Sequence, residues 1–185
     1  KPDIPRFYWR FFDKCFIFSP SKDTLPLDKL RIAEDRIFIK YTNEDLDNII
    51  EEEKESENLN NLIILDDSIK QIKNNSQVHK LLLNRRHLTQ NPNEDKHAGL
   101  GIIVTSQKYN ACDLITRVNM SDIILFKTEN SKELNCIKEE LMADLEKDIQ
   151  DKVLKLAWKD KYSFLLIKNY LGTKDRYYVR FNKII

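Results

Sequence analysis

The chain reads as an α/β protein: a mostly parallel sheet flanked by helices, with a β-hairpin at its C-terminal end. Three observations predict this. Residues 61–67, "NLIILDD", set four branched aliphatics side by side without alternation, which suits a strand covered on both faces, as in a parallel sheet. Similar apolar runs alternate along the chain with helical segments, the order that produces parallel neighbours joined by crossovers. Near the C-terminus, "YSFLLIK" (162–168) and "RYYVRF" (176–181) flank the turn Leu171-Gly172-Thr173, as two antiparallel strands do.

Taken in order, "KCFIFSP" (14–20) is a strand closed by Ser19-Pro20, and "DRIFIK" (35–40) is a second. Thr42 then caps a helix beginning "NEDLDNII", which carries acids in its first turn as the helix dipole favours and runs out into the polar "EEEKESEN". The strand "LIILDD" follows. Ser76 is the expected cap of "QVHKLLLNRRH", where Val78, Leu81, Leu82 and Arg85 share one face. Residues 88–99 are polar and punctuated, so they form a loop before the strand "LGIIVTSQ" (100–107). "DIILFK" (122–127) is a further strand, expected to join the same sheet. "SKELNCIKEELMADLEKDIQ" reads as one helix with Leu134, Ile137, Leu141 and Leu145 as its stripe.

The totals set bounds. At 185 residues, 41% hydrophobic and 33% charged, the chain supports one well-buried core and is expected to form a single domain over 1–185. No apolar run approaches the roughly 20 residues that cross a bilayer, so no membrane span is expected. Lys plus Arg at 31 against Asp plus Glu at 30 leaves a net charge of +1, which excludes a global nucleic-acid footprint but permits a local basic face. Cys15, Cys112 and Cys136 are odd in number and widely spaced, as free thiols are.

Chemistry concentrates where strands end. Asp66 and Asp67 follow one strand, Ser106 and Gln107 follow the next, and "ITRVN" precedes a third. In a parallel sheet these groups converge at the carboxyl edge, where open α/β sheets bind ligands. An acid there can hold Mg²⁺ through water, a second can orient a water attacking a γ-phosphate, and Gln107 can sense that phosphate. The alternative is that Asp66 and Asp67 cap the next helix. Spacing alone leaves both readings open.

The order "LIILDD", "LLLNRRH", "GLGIIVTSQ", "DLITRVNMSDIILFK" and "YSFLLIK…RYYVRFNKII" resembles the genome-packaging ATPases of large DNA viruses, virophages and related self-synthesising transposons, the poxvirus-like branch of the FtsK/HerA superfamily. The resemblance covers 12–185 and implies a RecA-like P-loop NTPase core. It implies Asp66 as the Mg²⁺-coordinating Walker B acid, Asp67 as the catalytic acid and Gln107 as a strand-end sensor beside Ser106. Arg85, Arg86 and Arg117 become interface or sensor arginines. ATP and Mg²⁺ are the implied cofactors. Double-stranded DNA, capsid or portal-type vertex proteins and a homo-oligomeric ring are the implied partners, in the host cytoplasm (a viral factory) or the virion. The chain departs from that pattern in one respect: G-x-x-x-x-G-K-[ST] is nowhere in it, and Gly99-x-Gly101 sits at a strand entry. The expectation is therefore a domain running from Walker B onward without its phosphate-loop segment. The competing expectation is a non-catalytic assembly subunit that keeps the fold.

Two further features carry paired readings. Lys152, Lys155, Lys159 and Lys161 around Trp158 could meet DNA phosphates or form a solvated face. Phe7, Tyr8, Trp9, Phe11 and Phe12 suit packing better than base stacking.

Overall fold

The structure, a computed structural model, describes residues 12–25, 32–55, 60–88 and 99–184. The N-terminal aromatics other than Phe12, the loop 89–98 and the end of the acidic stretch lie outside those residues, as do the side chains of Arg86 and His87. The chain divides into two compact units, Lys1–Gln107 with Ala111–Asp113, and Lys108–Asn110 with Leu114–Ile185.

The first unit is built on a four-stranded parallel sheet in the order β2-β1-β3-β4. Its strands are β1 (Lys14–Phe18), β2 (Ile37–Phe38), β3 (Asn60–Leu65) and β4 (Gly99–Val104). The helices are α1 (Asn43–Glu55), a short α2 (Ile69–Ile72) and α3 (Ser76–Leu88). The unalternated apolar runs of β1 and β3 behave as expected: Phe16, Ile17 and Phe18 of β1 and Leu62, Ile63 and Leu65 of β3 are all buried. Leu46, Ile49 and Ile50 of α1 and Val78, Leu81 and Leu82 of α3 join the same core, so the apolar stripe read on α3 is the face it buries. The strand expected over 35–40 contracts to two residues behind a 3₁₀ turn at Glu34–Arg36.

Thr42 caps α1 as expected, its hydroxyl accepting from the Asp45 N–H at 3.1 Å. For α3 the cap moves by one residue. Asn75, not Ser76, accepts from the N–H groups of Gln77 (3.0 Å) and Val78 (3.2 Å). Gly101 lies within β4, where a β-carbon would stand 3.2 Å from Phe12 Cε1 and 3.3 Å from Leu62 Cδ1; the residue is small because its neighbours press on it.

The second unit corrects two expectations. The strand at Asp122–Phe126, β5, does not extend the parallel sheet. It pairs antiparallel with β6 (Phe164–Lys168) in a separate four-stranded sheet, β5-β6-β7-β8, completed by β7 (Tyr177–Val179) and β8 (Asn182–Lys183). Its alternating burial, with Ile123 and Leu125 buried and Ile124 and Phe126 exposed, marks a one-faced antiparallel strand. A short helix, α4 (Leu114–Val118), precedes it.

The expected single helix over 131–150 is two, α5 (Ser131–Leu141) and α6 (Lys147–Ala157). A continuous helix of that length would run about 30 Å, against roughly 17 Å for a five-residue strand, so a break lets both halves cover the sheet. Side chains satisfy the carbonyls freed there. Gln150 Nε2 donates to the Met142 and Leu145 carbonyls at 2.8 and 3.1 Å, and the buried Tyr177 hydroxyl lies 3.0 Å from the Leu141 carbonyl and also reaches the Asp144 carboxylate.

Candidate functional site

Parallel pairing brings three strand ends of the first unit into step. The Ser19 N–H donates to Phe38, the Asp66 N–H to Phe18 and the Thr105 N–H to Leu65, so Ser19, Asp66 and Thr105 stand side by side at the carboxyl edge. Their side chains close on one carboxylate. The Ser19 hydroxyl donates to Asp66 Oδ2 at 2.8 Å and the Thr105 hydroxyl to Oδ1 at 2.7 Å. Ser19 is fully buried, which fixes Asp66 from the protein side.

Asp67 is held differently. Its φ of 45° is left-handed, a conformation that Asp tolerates better than most residues and that recurs where function constrains the backbone. Its N–H donates to Thr105 Oγ1 at 3.0 Å, and its Oδ2 accepts from Gln107 Nε2 at 3.2 Å. Asp67 and Gln107 are both exposed, whereas Asp66 is half-buried. Neither carboxylate accepts a hydrogen bond from the N–H groups of α2 among the described residues. Helix capping is therefore not what these acids do.

The cluster suits a hydrated cation. Each Asp66 oxygen accepts one hydroxyl proton and keeps a second lone pair, enough to hold the waters of Mg²⁺, which binds through one or two carboxylates and retains much of its hydration. No group of three or more His, Cys, Asp or Glu gathers as a metal site among the described residues. Asp67 presents an acceptor to solvent beside it, and Gln107 a donor.

Ser106 stands exposed between Thr105 and Gln107 at the same edge, but it is Thr105 that bonds Asp66. Arg85 is half-buried on α3, and Arg86 follows it on the same helix. Arg117 lies on α4 of the second unit, where Glu140 binds it in two places, Nε–Oε2 and Nη2–Oε1, each 2.8 Å. Its guanidinium also lies 5.4 Å from the centre of the Tyr109 ring. Burial opposes ionisation of Glu140, but hydrogen bonds from Arg117, Cys136 and Tyr109 outweigh it and hold the carboxyl below its usual range. The segment "ITRVN" therefore belongs to a local ion pair. Ser19 and Thr105 were not singled out from sequence. The available signal was a hydroxyl directly after the last apolar residue of two strands, "FIFS" and "IIVT".

No protein-family model matches the chain, and no curated protein matches it in sequence. Solved structures do. The chain is similar to the genome packaging NTPase B204 of Sulfolobus turreted icosahedral virus 2 in complex with AMP, with a TM-score of 0.62 and 17% identity over 93% of this chain and 83% of that one. The complex with AMPPCP gives 0.61 and 18% over the same shares, and the complex with ATP-gammaS gives 0.60 and 16% over 94% and 83%. At such identities the likeness is one of fold, and the α/β fold expected from sequence is the one this chain shares with a viral genome-packaging NTPase.

Proposed function

We propose that this chain carries the acid half of an ATP site in a DNA-packaging motor, which couples ATP hydrolysis to movement of double-stranded DNA into a viral capsid. The observation that supports it most is the hydrogen-bonded cluster of Ser19, Asp66, Thr105, Asp67 and Gln107 at the carboxyl edge of a parallel sheet. The fold shared with B204, a protein solved with nucleotides, adds support. Asp66 holds the waters of Mg²⁺, Asp67 orients or deprotonates the attacking water, and Gln107 reads the terminal phosphate. Bound Mg²⁺ neutralises charge on the phosphate oxygens. Arg86, with Arg85 as alternative, acts on the ATP of a neighbouring subunit in a ring; Arg117 is the least available because Glu140 holds it. Both units belong to one RecA-like domain that works with capsid or portal-type vertex proteins, in the host cytoplasm or the virion.

A second reading is favoured by one observation. These 185 residues contain no phosphate-loop motif, as a non-catalytic assembly subunit would not. Titration calorimetry with Mg-ATP on the chain alone, then together with a phosphate-cradling loop in cis or from a second chain, separates the two. The motor reading expects little binding alone, because such a loop supplies most phosphate contacts, and DNA-stimulated turnover once the loop is present. Tight binding by the chain alone would move the phosphate site elsewhere, and no turnover in any combination would leave the assembly reading.

A further inference from the structure

We propose that the groove between the end of β5 and helices α5 and α6 binds the phosphodiester backbone of nucleic acid, an inference that rests on the packaging function proposed above. The groove is an open depression of about 470 Å³, lined wholly by residues of the second unit. Four lysines reach it: Lys127 from the end of β5, Lys138 from α5, and Lys155 and Lys159 from α6 and the residues after it. Lys127 is paired with Glu129 at 3.1 Å and Lys138 with Asp151 at 2.5 Å. Lys155 and Lys159 have no ion-pair partner among the described residues, so the groove keeps two uncompensated positive charges.

The floor is apolar and fixed. Trp158 lines it with Leu134 and Leu154, and its indole N–H donates to the Leu125 carbonyl at 3.0 Å, which holds the ring in place. The Trp158 N–H also closes α6 onto the Leu154 carbonyl at 3.0 Å, and the two free lysines offset the negative end of that helix dipole. Among the described residues the cations lining the groove are all lysines. Lysine binds phosphate as a point charge, and contacts of that kind follow a repeating phosphate chain regardless of base sequence.

Fluorescence anisotropy of a labelled mixed-sequence duplex, titrated with the chain over a salt series, tests this. Lys155→Ala/Lys159→Ala is expected to weaken binding several-fold and to lower the slope of log affinity against log salt by up to about 1.8, two phosphate contacts at roughly 0.9 each. Lys152→Ala/Lys161→Ala is the matched control. It removes the same charge from side chains outside the groove, one paired with Asp148 and one over the Tyr162 ring, and is expected to bind nearly as the parent. Equal losses from both pairs would mean a diffuse field and overturn the groove. Displacement by polyglutamate as effective as by single-stranded DNA of equal charge would assign an acidic peptide instead. If the parent binds duplex and neither pair matters, the groove falls while the packaging reading stands. If the parent binds no nucleic acid, both fall.

Discussion

Ser19 and Thr105 divide the Asp66 carboxylate between them, and that division holds the acid in one orientation rather than leaving it a mobile surface group. Removing the buried Ser19 hydroxyl leaves one Asp66 oxygen without its protein donor. Ser19→Ala is expected to cost about 1–2 kcal/mol in urea denaturation and to weaken Mg²⁺-dependent nucleotide binding more than binding without metal. Glu53 gives a second residue-scale expectation. Its side chain is 1% exposed on α1, bonded by the Asn61 amide and 3.9 Å from Lys14 Nζ. Burial raises its carboxyl from 4.5 to about 7, with Lys14 and Arg36 pulling it down and Glu52 and Asp13 pushing it up. A raised acid favours the fold while protonated, so its contribution is complete below 4.5 and is lost as pH rises through about 7. Thermal melts should show the parent losing stability over that window and Glu53→Gln losing less. Equal pH dependence would mean that Glu53 is charged in the fold throughout. Asp66, Asp67 and Gln107 were legible in sequence because each follows an unalternated apolar run. Ser19 and Thr105 were not, because a hydroxyl at a strand end is common and only the register of β1, β3 and β4 brings these two onto one carboxylate.

At the scale of elements, strand and helix identities follow from apolar periodicity, while boundaries follow from tertiary partners. Asn75 and Ser76 are both good caps, and sequence offers no means of choosing between them; the structure uses Asn75. Asn75→Ala is therefore expected to cost about 1 kcal/mol and Ser76→Ala much less, measured by urea denaturation. The break between α5 and α6 was hidden for a similar reason. The stripe of Leu134, Ile137, Leu141 and Leu145 keeps helical spacing straight across it, and the groups that stabilise the interruption, Gln150 and Tyr177, are distant or polar. Tyr177→Phe should destabilise the second unit by about 1–2 kcal/mol, read by hydrogen exchange at Met142–Glu146. A silent Tyr177→Phe would show that Gln150 alone holds the break. The fate of β5 was equally hidden, since a five-residue apolar strand does not name its neighbour.

For the whole molecule, the proposed hydrolytic cycle would combine the acid cluster of one subunit with an α3 arginine of its neighbour in a ring. The trans role of Arg86 is tested by mixing: Arg86→Ala subunits blended with Asp67→Asn subunits should regain turnover at interfaces that pair an intact acid with an intact arginine. A mixture no more active than either variant alone, with assembly intact, would leave Arg86 as a helix-end cation. The central claim, that the two strand-end acids have separate chemical tasks, is met most directly by Mg-ATP affinity and turnover measured side by side for Asp66→Ala and Asp67→Asn, in protein that includes a phosphate-cradling loop. Asp66→Ala is expected to lose metal-dependent affinity, and Asp67→Asn to keep affinity while turnover falls roughly 10²–10⁴-fold. Turnover and affinity like the parent's in both variants would contradict that claim and leave the cluster as a structural tie between three strands.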